Sequence, residues 1–354
     1  MKKKFYLIIL LVLLAIAAYV FFTNRSGTIN SNEKDFAVTD TASVVKIFLA
    51  DKSNHQSLLE RTDNGWSLNG KFKARDDLIK VLLSTIHDVT VIAPVSNNAY
   101  NNVIRDIAAT GTKVEIYYRS WWIDIFGIKL FRITKKKVYY VGSPTQDHLG
   151  TEMLIENSNM AFVNYVPGHR GFLSQQYTPL ETDWRDRTIC SYYVPEIASL
   201  SVKQSEFPNE SYQIESVSEK QFKLQSLDGR SVPNYDTTAV LGALSSFYRL
   251  CFEEFVQDFP KKKLDSILQS KPCFDISLKD KKGKITRIVT YRRNNPLGNI
   301  DMEGNPWPYD PDRLFAQING GKDFVIIQYF VFDKIFKKLS DFIPPPPDKV
   351  RVVY

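Results

Sequence analysis

Residues 66–86 read Trp-Ser-Leu-Asn-Gly-Lys-Phe-Lys-Ala-Arg-Asp-Asp-Leu-Ile-Lys-Val-Leu-Leu-Ser-Thr-Ile. Trp66, Ser67 and Leu68 alternate as a strand with one buried face does. Leu78, Ile79, Leu82, Leu83 and Ile86 then share one helical face, and Asp76 and Asp77 fall in the first turn, where carboxylates suit the helix dipole. The same order returns later. Phe222-Lys223-Leu224 matches Trp66-Ser67-Leu68 at a separation of 156 positions. Val240, Leu241, Leu244 and Phe247 form a second one-sided helix that Asp236 can cap. A strand followed by a helix buried on one side, met twice, predicts a duplicated α+β unit with helices covering one face of a sheet.

Working outward, Ala42-Ser43 before a strand matches Ala198-Ser199. A shorter helix with Val103, Ile104 and Ile107 stops at Gly111, and its counterpart with Leu264, Ile267 and Leu268 stops before Pro272. Lys113-Val114-Glu115-Ile116 matches Cys273-Phe274-Asp275-Ile276 at a separation of 160, and Phe162-Val163 matches Phe324-Val325 at 162. Separations that drift so little point to duplication. Short connections predict mostly antiparallel sheets, each with two helices. The expected order is a first unit over 36–176, a linker over 177–193, a second unit over 194–343 and a Pro-rich tail over 344–354.

Ahead of these lies an uncharged apolar run over 5–22, behind Lys2, Lys3 and Lys4. As a helix it is long enough to reach across a bilayer, with roughly 1.5 Å of rise per residue. The lysines place the flank 1–4 in the cytoplasm. The sequence therefore predicts a transmembrane anchor, a polar linker over 23–35, and a single-pass inner-membrane protein with the bulk of its chain in the periplasm. A cleaved signal peptide is the competing reading, with Ala15-Ile16-Ala17 as its cut site, although the apolar run continues past it.

The chain of 354 residues has 13% aromatic residues, ample for a strand-rich core. Its three cysteines, Cys190, Cys251 and Cys273, are too few and too odd for a disulfide framework, and read as small buried residues. Part of the net charge of +7 is the flank Lys2, Lys3 and Lys4, and the remainder sits in short runs at 135–137, 261–263 and 279–284, which read as solvated turns. Nucleic acid is not an expected partner of an exported chain.

Several segments resemble one bacterial family. They are Phe36-Ala37-Val38, Ser43 to Leu49, Gly65-Trp66-Ser67-Leu68-Asn69-Gly70, Tyr140-Val141-Gly142, Gly168 to Leu173, Trp184-Arg185-Asp186-Arg187 and Gln328-Tyr329-Phe330-Val331-Phe332. The family is the domain of unknown function 4340. The resemblance covers nearly all of the chain after residue 35. It implies a single-anchor envelope protein of a family some of whose members accompany transport systems, and carries no catalytic residues across.

No catalytic, cofactor or metal motif is legible. His55, His87, His148 and His169 lack metal-ligand spacing, and no nucleophile elbow or phosphate loop occurs. Asp310-Pro311-Asp312 reads as a turn, Asn319-Gly320-Gly321 as a hairpin turn, and Arg185 and Arg187 as a candidate anion contact. Trp184 reads as packing between the units. The first unit also has a longer stretch between Tyr118 and Tyr140 than the second has between Leu278 and Tyr291. Its extra residues include Trp121, Trp122, Ile123, Ile125, Phe126, Ile128, Leu130 and Phe131. As an exposed hairpin tip they make a partner or membrane contact; the bland alternative is a tip folded back into the core. Residues 333–342 read as a one-sided helix. The resulting expectation is a membrane-anchored binding or scaffolding protein of an envelope assembly. Its rival is an exported hydrolase-like enzyme, or a small-ligand or peptide carrier, with a site between the repeats.

Overall fold

A computed structural model describes residues 10–17, 34–125, 128–218, 221–257, 259–295, 298–321 and 323–344. The expectation of a transmembrane anchor is corrected. Residues 10–17 are helical (α1) and exposed. No helix among the described residues is long and apolar enough to cross a membrane. The single-pass placement, the inner-membrane location and the periplasmic assignment built on them fall with it. The remaining residues of the 5–22 run, and the 23–33 part of the expected linker, lie outside the described residues.

The chain divides into two units, Met1–Asp186 and Arg187–Tyr354. The first unit runs β1 Val44–Ala50, β2 Gln56–Thr62, β3 Gly65–Leu68, β4 Phe72–Lys73, α2 Asp76–Asp88, β5 Thr90–Pro94, α3 Asn97–Thr110, β6 Thr112–Ile125, β7 Ile128–Pro144, β8 Thr151–Ile155, β9 Ala161–Tyr165 and α4 Glu181–Trp184. The second begins with β10 Thr188–Cys190, β11 Ile197–Gln204, β12 Tyr212–Ser216, β13 Phe222–Ser226, α5 Thr237–Ser245, β14 Leu250–Cys251 and β15 Glu254–Phe255. It ends with α6 Lys261–Gln269, β16 Phe274–Asp280, β17 Ile285–Asn294, β18 Tyr309–Ile318, β19 Phe324–Gln328 and α7 Tyr329–Phe332.

Antiparallel sheet dominates both units. One sheet has the order β4-β3-β2-β1-β6-β7-β8-β9-β5, the other β13-β12-β11-β16-β17-β18-β19-β15. Apart from β4 the two orders coincide strand for strand. Even an irregularity recurs: the β1–β6 pairing shifts between Val44 and Lys46, and the β11–β16 pairing shifts between Ile197 and Ser199. These registers equate Val44 with Ile197, Ile47 with Leu200, Leu68 with Leu224 and Ile116 with Leu278. They also equate Phe162 with Val325, through Met153 and Ala316. Several identity matches are therefore slipped. Ala42-Ser43 lies in a 3-10 turn before β1, whereas Ala198-Ser199 lies inside β11.

The helices occupy both faces of each sheet, not one. Ile79, Leu82 and Ile86 of α2 join a core with Val114, Ile116 and Tyr139. Val103 and Ile107 of α3 pack instead with Tyr140, Leu154 and Ala161. Tyr139 and Tyr140 are neighbours on β7, so their side chains leave opposite faces of the sheet. The second unit repeats the arrangement, with Val240 and Leu244 of α5 beside Ile276 and Ile288, and Leu264 and Ile267 of α6 beside Val289 and Tyr291. Each unit is thus helix, antiparallel sheet, helix.

The stretch 177–193 is structured rather than a linker. Tyr177 and Trp184 are buried in the first unit's core, and β10 pairs with β14 in the second. Trp184 donates its indole N–H to the Thr178 carbonyl at 2.8 Å. The expected helix over 333–342 is instead broken: α7 ends at Phe332, and a 3-10 turn holds Leu339–Phe342. Phe332, Ile335, Leu339 and Phe342 are all buried. The tail beyond residue 344 lies outside the described residues. All three cysteines are free, and only Cys190 is buried; Cys251 is exposed and Cys273 half-buried.

Candidate functional site

The hairpin of β6 and β7 pairs continuously from Thr112 opposite Val141 to Ile125 opposite Ile128. Its flanking strands stop short. β1 accompanies β6 only to Tyr118, and β8 accompanies β7 only from Tyr139. Past those points the two strands pair only with each other, as a ribbon projecting from the sheet. The equivalent β16–β17 hairpin turns at once. There the Asp280 carboxylate accepts from the backbone N–H groups of Lys282 and Lys284, both at 2.9 Å, and Gly283 takes φ +88°.

The ribbon carries the apolar face of the core outward. Val114 and Ile116 are fully buried. On the same face follow Tyr118 opposite Lys135 and Ser120 opposite Ile133. Trp122 and Phe131 come last, their rings meeting edge to face at 5.9 Å. Trp122 is 69% exposed and Phe131 65%. Trp121 points to the other face, half-buried, with the Arg132 guanidinium 5.8 Å from its ring centre. Phe131 has φ +56°, a left-handed conformation that costs an L-residue about 1–2 kcal/mol.

Cations surround this apolar tip. Residues 119–137 hold Arg119, Lys129, Arg132, Lys135, Lys136 and Lys137 against Asp124 alone. At the base Lys137 pairs with Asp35 at 2.8 Å and donates to the Ala37 carbonyl. Lys136 lies 3.7 Å from Glu115. Burial raises the Glu115 pKa, but hydrogen bonds from Lys113 and Tyr117 outweigh it and hold the carboxyl below its ordinary value. Arg119, Lys129 and Lys135 have no ion-pair partner among the described residues. The ribbon therefore ends in exposed aromatics among an excess of positively charged residues.

Of the expected contact residues, Trp121 and Trp122 are described, on opposite faces. Ile123, Ile125 and Ile128 are strand residues whose side chains fall outside the described set, and Phe126 lies outside it altogether. The structure adds Arg132 through its stack on Trp121, and pairs Phe131 with Trp122. Arg185 lies 3.9 Å from the Phe72 ring centre, and Arg187 donates to the Glu253 carbonyl. Asp310-Pro311-Asp312 is not a free turn but an irregularity at the start of β18. Asp310, 5% exposed, accepts from Arg293 at 2.6 Å.

The histidines are scattered. His55 meets Asp51 at 2.7 Å, His87 meets Asp88 at 2.6 Å, and His169 meets Gln176 at 3.4 Å. Among the described residues no group of three or more His, Cys, Asp or Glu side chains is placed to hold a metal ion. No protein-family model, no curated protein and no solved structure matches the chain.

Proposed function

We propose that the chain is a binding or scaffolding protein, akin to the domain of unknown function 4340 proteins, whose β6–β7 ribbon contacts an acidic partner protein. One observation carries the reading. The ribbon leaves the sheet and exposes Trp122 and Phe131 among cations, where the equivalent hairpin of the second unit ends in a tight turn. Large exposed apolar patches mark interaction sites, and aromatic and arginine side chains are the usual anchors of protein interfaces. The surplus of Lys and Arg over acidic residues in 119–137 favours an acidic surface and speeds its approach. A two-stranded ribbon is marginal by itself in water, so its length and the strained Phe131 fit an element that a partner completes.

The test is a photo-crosslinking residue at position 122, compared with one at exposed Leu241 on α5. The reading expects a discrete protein adduct at position 122 alone, lost in a Trp122→Ala/Phe131→Ala variant that keeps its circular dichroism and melting temperature. Equal adducts at both positions would sink it. So would binding to anionic lipid vesicles with no protein adduct, and so would unfolding of the double variant, which would make the tip part of the core.

A further inference from the structure

The second unit contains an open pocket of about 540 Å³ at one end of its sheet, between the end of β11, the C-terminal end of α6 and the segment after α7. That volume is within the usual range for small-ligand sites, about 300–1,000 Å³. Its floor is aromatic. Phe274 and Phe336 stack with centroids 4.0 Å apart, and Tyr329 meets Phe336 edge-on at 5.7 Å. Its rim is cationic, with Lys271, Arg292 and Lys338 against a single carboxylate, Glu206. Arg292 spends one N–H on Glu206 at 3.0 Å and lies 4.9 Å from the centre of the Tyr309 ring. Lys338 sits 3.8 Å from the centre of the Phe207 ring, and neither it nor Lys271 has an ion-pair partner among the described residues.

We infer that the second-unit pocket binds a small planar aromatic anion, its ring against Phe336 and Tyr329 and its carboxylate held by Arg292 and Lys338. The site is independent of the β6–β7 ribbon. Phe336 already stacks on Phe274 and Phe332, so the floor offers a ligand ring edge-to-face contact, and a guanidinium with free N–H groups suits a carboxylate. A neutral aromatic of the same size lacks the second contact and binds more weakly.

Cys273 lines the pocket and reports on it, since its half-buried thiol is shielded further by any occupant. The full chain is titrated with naphthalene-2-carboxylate, and iodoacetamide alkylation of each cysteine is followed by peptide mass spectrometry. The expected result is saturable protection of Cys273 with none at exposed Cys251. Arg292→Ala and Lys338→Ala each weaken that protection about tenfold, the loss of one charge-assisted contact. Naphthalene-2-methanol protects at least tenfold more weakly, by the same arithmetic. Because both cations are on the rim, either variant alone suffices if the other fails to fold. Absence of Cys273 protection up to about 10 mM ligand, weaker than any meaningful affinity, overturns the inference. Equal protection by the neutral alcohol, or by the carboxylate in both variants, overturns it too.

Discussion

At the residue scale, the tight β16–β17 turn depends on Asp280, which is 7% exposed and receives two backbone N–H groups. Asp280→Ala leaves those donors to find water, and should cost about 1–2 kcal/mol in urea unfolding. Asp280→Asn, which keeps an acceptor, should cost less than half of that; equal losses would show that the hydrogen bonds are not the cause. Cys190 supplies a pH dependence. Burial pushes its thiol from 9.0 up to about 12. The fold therefore favours the neutral thiol, and the unfolded chain ionises first. Stability from this group is complete below pH 9 and falls as pH rises toward 12, by at most about 1.4 kcal/mol per pH unit. Burial also raises Tyr139, Tyr177 and Tyr212, which extends the loss above pH 10. The fall in urea midpoint from pH 8 to pH 9.8 should be smaller in Cys190→Ala than in the parent protein, the remainder coming from the buried tyrosines.

At the scale of the element, α6 opens with Lys261, Lys262 and Lys263 and has no acidic residue in its first turn. Positive charge there opposes the helix dipole, so Lys262→Glu should stabilise the protein by about 0.3–1 kcal/mol, less in high salt. A destabilised variant would mean that Lys262 serves something other than its helix. The ribbon makes the opposite kind of prediction. Replacing residues 120–133 with an Asn-Gly turn, the dipeptide that already closes the β3–β4 and β18–β19 hairpins with both residues at positive φ, removes no residue of the buried core. The shortened protein should melt within about 4 °C of the parent, the shift expected of roughly 1 kcal/mol. A larger drop would place the tip in the core and weaken the case for a contact element.

At the scale of the whole molecule, each core belongs to one unit. The clusters around Val114 and Ile107 draw only on residues before 187, and those around Ile276 and Tyr291 only on residues after it. Fragments 34–186 and 187–354 should therefore each unfold cooperatively when made alone, with circular dichroism spectra that sum to that of the described chain. A fragment that stays unfolded would show that its core needs the other half.

The sequence by itself determined which segments bury one side. Apolar spacing in α2 and α5 survives any register, because a helix face is set by residues three and four apart. It also located the aromatic excess after Tyr118, since insertion and composition are local properties. It did not determine pairing. Ala42-Ser43 and Ala198-Ser199 look alike, yet one precedes a strand and the other lies within one, because register follows the shifts at Val44/Lys46 and Ile197/Ser199. Nor did it separate Trp121 from Trp122, whose opposite faces follow from the pleat and from partners on β7. The apolar run over 5–22 read as a span from its length, its lack of charge and the lysines before it, yet no helix among the described residues is long and apolar enough to cross a membrane. The pocket beside Cys273 gathers residues from Gln204 to Lys338. Only tertiary structure decided it, because no local pattern links residues that meet solely where strand ends, a helix end and the chain after α7 converge.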